Sequence, residues 1–404
     1  MLTPTETAQD TFTLATPITP AAPAVPLTDD LTAVSVPALP REPAINSMFR
    51  RMYELKASDL HLSATMPPLI RKDGEMRPLH DAAGALSSEM IVRLLGEIMP
   101  SINKAEYEAR HDSDFAYEIT GLARFRANVF KDRHGMGAVF RVIPAEILTA
   151  EQLGLSAHVL ALCQLKKGLV LVTGPTGSGK STTLCAMIDH INKSRADHII
   201  TIEDPIEFVH HNQKCLINQR EVHTHTRSFK DALRAALRED PDVIMVGEMR
   251  DKETIELGIT AAETGHLVFG TLHTNSAPKT VDRIIDVFPA DQQDQIRAML
   301  AESLKGVVSQ VLMRKKGGKG RVAAQEIMVG TGAISNLIRE NKIHQIPSMI
   351  QTGKKDGMQL LDQHILEYLM SSVIDPTEAY MKSNNKSTFR PYLKEKVPEN
   401  EFAS

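Results

Sequence analysis

The sequence predicts an α/β protein: a mainly parallel sheet preceded by a small α+β domain. Three observations carry this. The apolar run 169–172 reads as a buried strand, and helical spacing resumes after Lys180 through Leu184, Met187 and Ile188. Between them, 174–181 has the form G-x-x-x-x-G-K-S, the phosphate-binding loop pattern. From 151 to about 375, strand-like and helix-like segments alternate, as in a parallel sheet covered on both faces.

The loop is the most specific of these signals. Glycines let successive backbone N–H groups turn inward around a phosphate, and the following helix adds the positive end of its dipole. Gly174, Pro175, Thr176, Gly177, Ser178, Gly179, Lys180, Ser181 and Thr182 are therefore the expected nucleotide-binding residues. Lys180 would reach the outer phosphates of ATP, and the Ser181 hydroxyl would hold Mg²⁺.

Composition bounds the rest. The chain has 404 residues, enough for two or three domains, with ordinary globular proportions of 42% hydrophobic and 24% charged residues. No apolar run approaches the 18 or so residues that span a bilayer, and the N-terminus has no secretory pattern. Three scattered cysteines, Cys163, Cys185 and Cys215, fit a reducing cytoplasm and form no zinc pair. The net charge is −4, and outside 1–43 acids and bases balance, which disfavours a nucleic-acid motor.

In chain order, 1–43 holds eight of the 22 prolines and reads as a disordered or extended leader. Residues 44–143 form the small domain: a helix with Ile45, Met48, Met52 and Leu55, short strands at 60–62 and 69–70 with Gly74 in a turn, and a helix at 90–99. Three strands follow at 115–119, 123–130 and 138–143, broken by Gly121, Gly135 and Gly137. Four arginines here (Arg124, Arg126, Arg133, Arg141) either face solvent or recognise phosphate, which the guanidinium fork suits. A linker at 144–150 leads into the nucleotide domain, 151–382. Its strands at 198–202, 243–246 and 266–272 end in Glu203, Gly247-Glu248 and His273, at the edge where open α/β sheets bind ligands. Asp242 precedes its strand and belongs at the opposite edge. The stripe Ile296, Met299, Leu300, Leu304, Val307, Val308, Val311 and Leu312 predicts one long helix over 291–313. A glycine–lysine loop at 314–320, a strand at 322–328, a helix at 359–370 and a polar tail at 383–404 complete the chain.

Glu207 and Glu248 are the candidates for chemistry, since phosphoanhydride hydrolysis needs a carboxylate at Mg²⁺ and one that orients water. Spacing alone does not say which of Glu203, Asp204 and Glu207 faces the phosphate. His266 and His273 bracket one strand at opposite ends and make no metal site; His223 and His225 have no third ligand.

Together these motifs resemble those of the secretion/pilus motor ATPases over about 45–382. GPTGSGKST (174–182) is similar to the family's Walker A loop, TIEDPIEF (201–208) to its acidic box, DPDVIMVGEMRD (240–251) to its Walker B strand and GHLVFGTLHTNSA (265–277) to its histidine box. The resemblance implies a PAS-like N-terminal domain and a RecA-like core, assembled as a homo-hexamer. It implies Glu248 at Mg²⁺, Glu207 as the water-activating carboxylate, His266 and His273 sensing the nucleotide, and Arg126 and Arg141 directed at a neighbouring subunit's phosphates. It also implies work at the cytoplasmic face of the bacterial inner membrane, on a pilus platform protein. The retraction branch is favoured because no cysteine follows Cys215, whereas assembly relatives often carry a tetracysteine insertion. In addition, 337–342 (LIRENK) resembles the AIRxGK motif, with Asn341 near the usual glycine. Assembly, accessory retraction, DNA-uptake and secretion relatives share the chemistry, and a nucleotide-gated binding protein with little turnover is the alternative from another class.

Overall fold

The computed structural model describes residues 42–72, 75–80, 84–143, 147–318 and 320–393. The expected leader, the Gly74 turn, the start of the linker and the end of the tail lie largely outside them.

Helix α1 (Asn46–Glu54) precedes β1 (Asp59–Leu62), β2 (Leu69–Lys72) and β3 (Glu75–Pro78); α2 (Ser88–Gly96) and α3 (Ser101–Arg110) lead to β4 (Asp112–Ile119), β5 (Ala123–Asp132) and β6 (Gly135–Ile143). The six strands form one antiparallel sheet in the order β3-β2-β1-β6-β5-β4. Alternation along β5 buries Ala123, Phe125, Ala127 and Val129 beneath α1 and α2. Phe49 of α1 stacks on Phe125 at 4.3 Å and meets Phe140 edge-on at 4.9 Å, so two strands and a helix share one aromatic cluster. Both β3 and α3 are additional to the sequence expectation. All four residues of β3 are exposed, and α3 buries none of its own, so neither shows the apolar pattern that reveals an element.

The second sheet is built from β7 (Gly168–Thr173), β8 (His198–Glu203), β9 (Leu216–Glu221), β10 (Val243–Val246), β11 (Leu267–Leu272), β12 (Leu304–Arg314) and β13 (Arg321–Val329). Its order is β13-β12-β7-β11-β10-β8-β9, parallel except for β13. Helix α4 (Ala157–Leu162) precedes β7, and α5 (Lys180–Ser194) follows the loop; α6 (Phe229–Ala236), α7 (Lys252–Glu263), α8 (Ala277–Asp286) and α9 (Gln293–Ser303) come later. Every residue of β7 is buried: Leu169 and Leu171 face the cluster that includes α7 to α9, and Val170 and Val172 face the one under α4 and α5.

The helix expected over 291–313 is two elements. Helix α9 ends at Ser303, and the chain turns directly into β12, so Leu304, Val307, Val308, Val311 and Leu312 are strand residues. A strand buried on both faces reads as a continuous apolar run, and periodicity alone does not separate it from a helix. The β-branched valines and Gly306 were the available signals. A Cβ on Gly306 would come within 2.6 Å of Leu162 Cδ1, so the absent side chain leaves room for that leucine of α4 against β12.

Beyond the sheet lie α10 (Gly332–Arg339), α11 (Ile346–Thr352), α12 (Leu361–Met370), α13 (Pro376–Lys382) and α14 (Lys386–Phe389). Helix α10 ends in a left-handed cap: Asn341 has φ +55°, and the Lys342 N–H donates to the Leu337 carbonyl at 2.8 Å. No helix among the described residues is long and apolar enough to cross a membrane.

Phe125→Ala should cost about 3–5 kcal/mol, because it empties the centre of the aromatic cluster. Urea unfolding followed by circular dichroism measures this, and a loss under about 1 kcal/mol would show that the cluster is not the domain's core.

Candidate active site

Parallel pairing of β7, β11, β10 and β8 brings their C-terminal ends to one edge, where a cavity of about 560 Å³ opens. Thr176, Gly177, Lys180 and Ser181 form its wall on the loop side. Glu203, Asp204, Glu207, Glu248 and His273 line the side facing them. Asp242 lies at the opposite edge, as expected, where it accepts the His198 N–H at 2.9 Å.

The loop's path is dictated by its neighbours. Gly174 has φ +145°, and a Cβ there would sit 2.3 Å from the Gln310 carbonyl oxygen and 2.5 Å from Ser178 Oγ. Gly179, at φ +87°, ends the loop and caps α5. Gln310 of β12 then fixes the loop from behind. Its Nε2 donates to the Ser178 carbonyl at 2.8 Å, and its Oε1 accepts from Thr183 Oγ1 at 2.9 Å. All of these groups are buried, so the clamp is dry. Gln310 was hidden in the sequence by the helix expectation for 291–313. Its signal is polarity: Ser309-Gln310 interrupts a valine-rich strand that must border the loop.

Lys180 donates to the carbonyls of Gly174 at 2.9 Å and Pro175 at 3.3 Å, so its ammonium lies along the loop. Burial draws its pKa below the usual lysine range, and the charges of Glu248 and Glu207 oppose that shift. One ammonium thus feels both candidate carboxylates. Glu248 Oε1 accepts from His273 Nε2 at 2.8 Å and from Arg250 Nε, which ties the end of β10 to the end of β11. Thr271 Oγ1 reinforces that seam by donating to the Gly247 carbonyl at 2.6 Å.

Glu203 is the buried member of the acidic box. Its Oε1 accepts from Thr201 Oγ1 at 2.6 Å and Gln219 Nε2 at 3.1 Å, and its Oε2 from the Glu207 N–H at 3.4 Å. Burial nevertheless raises its pKa to about 7. Glu207 is the more open of the two and is held by its backbone to Glu203.

The remaining expected residues separate. Arg126 lines the cavity, although it comes from the N-terminal sheet. Arg141, its cross-strand neighbour, instead pairs with Asp59 at 2.9 Å and does not line the cavity. His266 sits at the start of β11, roughly 23 Å from His273 by strand rise, with Nδ1 3.0 Å from the Ala261 carbonyl. His223 and His225 lie in a turn after β9, and among the described residues no His, Cys, Asp and Glu cluster is arranged to hold a metal by itself.

Residues 37–390 match the model of a family described as type II/IV secretion system protein. The chain is 54% identical over 333 residues to the type IV pilus "retractation" ATPase PilT of Pseudomonas aeruginosa, covering 82% of this chain and 96% of that protein. It is 51% identical over 321 residues to a twitching motility protein of Neisseria gonorrhoeae, covering 80% of this chain and 85% of that one. A crystal structure of the pilus retraction motor PilT with bound ADP superposes with a TM-score of 0.81 at 47% identity, over 86% of this chain and 99% of that chain.

Gln310→Ala should weaken nucleotide affinity about tenfold, since leaving two buried partners unsatisfied costs about 1–3 kcal/mol; titration with a fluorescent ADP analogue reads this. Glu203→Gln should change the pH dependence of stability. The folded-state pKa of Glu203 lies above its unfolded value, so folding favours the protonated acid and wild-type stability falls as pH rises from about 4.5 through 7. The variant lacks that decline, so denaturation midpoints of the two proteins should diverge between pH 5 and pH 8.

Proposed function

We propose that this chain, which belongs to the family of type II/IV secretion system proteins, is the motor that retracts type IV pili. The fold is a RecA-like core preceded by a PAS-like α+β domain, and the enzyme is an ATPase. On this reading it works as a homo-hexamer at the cytoplasmic face of the inner membrane, against the platform protein at the pilus base. Similarity along 96% of the length of a pilus retraction ATPase supports the assignment. The observation that carries the chemistry is the shared cavity: Lys180, Glu207 and Glu248 meet at one sheet edge.

The residues divide the work by position. The loop amides of 174–181 and the N-terminus of α5 bind the phosphates of ATP, and Lys180 turns from the loop carbonyls to the outer phosphates. Ser181 and Glu248, oxygen donors on the cavity wall, would hold Mg²⁺. When bound, Mg²⁺ neutralises charge developing on the phosphates. Glu207 accepts the proton of the attacking water and points it at the terminal phosphate. Glu248, held by His273 and Arg250, keeps its carboxylate oriented without rotamer search. Through Glu248, His273 is placed to report the state of the phosphate site to the end of β11. His266, at the far end of that strand, holds the turn after α7 instead. Arg126 brings positive charge from the N-terminal domain to the nucleotide, so domain movement and hydrolysis share a residue. Arg141 takes a supporting part, fixed on Asp59 beside Arg126.

Lys180→Ala should abolish steady-state phosphate release. Glu207→Gln should retain nucleotide affinity within about threefold while slowing hydrolysis at least about a hundredfold. In cells, either variant should leave pili that accumulate and do not retract. Near-normal turnover by purified Glu207→Gln would overturn the assignment of Glu207.

A further inference from the structure

The loop that carries Glu207 has little regular structure of its own, yet its backbone is held at 206, 207, 208 and 210 by side chains of β8 and β9. Glu203 Oε2 accepts the Glu207 N–H. Gln219 accepts the His210 N–H at 2.7 Å and donates to the Phe208 carbonyl at 2.9 Å. Glu221 Oε2 accepts the Ile206 N–H at 3.0 Å. The same oxygen of Glu221 accepts from Arg124 Nη2 at 2.6 Å, and Arg124 stands on β5 of the N-terminal sheet. Their side chains are only 17% and 5% exposed. This is therefore a largely desolvated ion pair, in which removing one partner leaves the other's charge unmatched. Thr224 Oγ1 fixes the other oxygen of Glu221 at 2.9 Å, so the carboxylate has no freedom to follow one partner and keep the other.

We infer that Glu221 is a positioning residue that ties the seat of the N-terminal domain to the seat of Glu207. One carboxylate oxygen serves both the arginine of one domain and the amide next to the water-activating residue of the other. With Arg124 in place, Glu221 is anchored from both sides, and the 204–210 loop presents Glu207 to the cavity. When the N-terminal domain moves away, Arg124 leaves with it, and the amide of Ile206 is held by a carboxylate whose charge is no longer matched. Glu207 then loses register with the phosphate. Hydrolysis is thereby confined to the closed arrangement of the two domains. This inference rests on the assignment of Glu207 given above.

Steady-state kinetics on the full-length protein test it. Arg124→Gln should lower kcat about tenfold or more, because small displacements of a catalytic group are costly, while KM for ATP stays within about twofold. Arg124→Lys, which keeps the charge, should recover part of kcat. On a Glu221→Gln background, Arg124→Gln should cause no further loss, since the arginine acts through that carboxylate. An unchanged kcat in Arg124→Gln, a loss confined to KM, or an undiminished further loss on the Glu221→Gln background would each overturn the inference. Should Arg124→Gln melt early, Glu221→Gln alone carries the comparison, with the same loss of kcat expected and an unchanged kcat overturning the inference. Glu207→Gln measured alongside separates the two readings: an active Glu207→Gln refutes the catalytic assignment, whereas an inactive one beside a normal Arg124→Gln refutes the coupling alone.

Discussion

The lateral contact between β7 and β12 governs the rest of the site. Their parallel pairing runs from Leu169 to Thr173 on one strand and from Leu304 to Ser309 on the other, which sets Gln310 just past the point where the loop leaves β7. A glutamine there has an acceptor and two donors, and it spends them on the start of α5 and on the loop backbone. The loop can approach so closely only because position 174 has no side chain. The path of the loop is thus a property of two strands and a helix, with the glycine permitting it.

From that anchor the other strand ends arrive in register. Val246 lies opposite Ile202 on one side and Gly270 on the other, so the residues that follow each of them converge. Glu248 and His273 bond to each other, and Thr271 closes the backbone gap behind them. Charge does the final sorting. Burial under Thr201 and Gln219 raises the pKa of Glu203 to about 7, while Glu207 a turn later lines the same cavity half-exposed. Two carboxylates four residues apart therefore sit in different surroundings, one buried and the other half-exposed.

Much of this was legible in the residues. The loop announces itself through glycine spacing, and the carboxylates through their place after apolar strand runs. What escaped notice has a common cause. Gln310 was obscured because a strand covered on both faces carries no alternation. Helix α3 and strand β3 escaped because they bury almost nothing of their own. The burial of Glu203 against β9 was not legible either, because β9 is a neighbour defined by tertiary structure and not by spacing. The separation of Arg126 from Arg141 has the same origin: opposite each other in register, they differ only in what stands across from them.

The cap after α10 bears on how such chains are recognised at all. Asn341 occupies a left-handed backbone conformation in which its N–H still returns to the helix, at 3.2 Å from the Ile338 carbonyl. Asparagine is among the few side chains that tolerate that conformation without a large steric penalty. A search string that insists on one letter at this place is therefore a surrogate for the sign of a dihedral angle. Chains that satisfy the angle with a different residue keep the geometry and would be overlooked by the string.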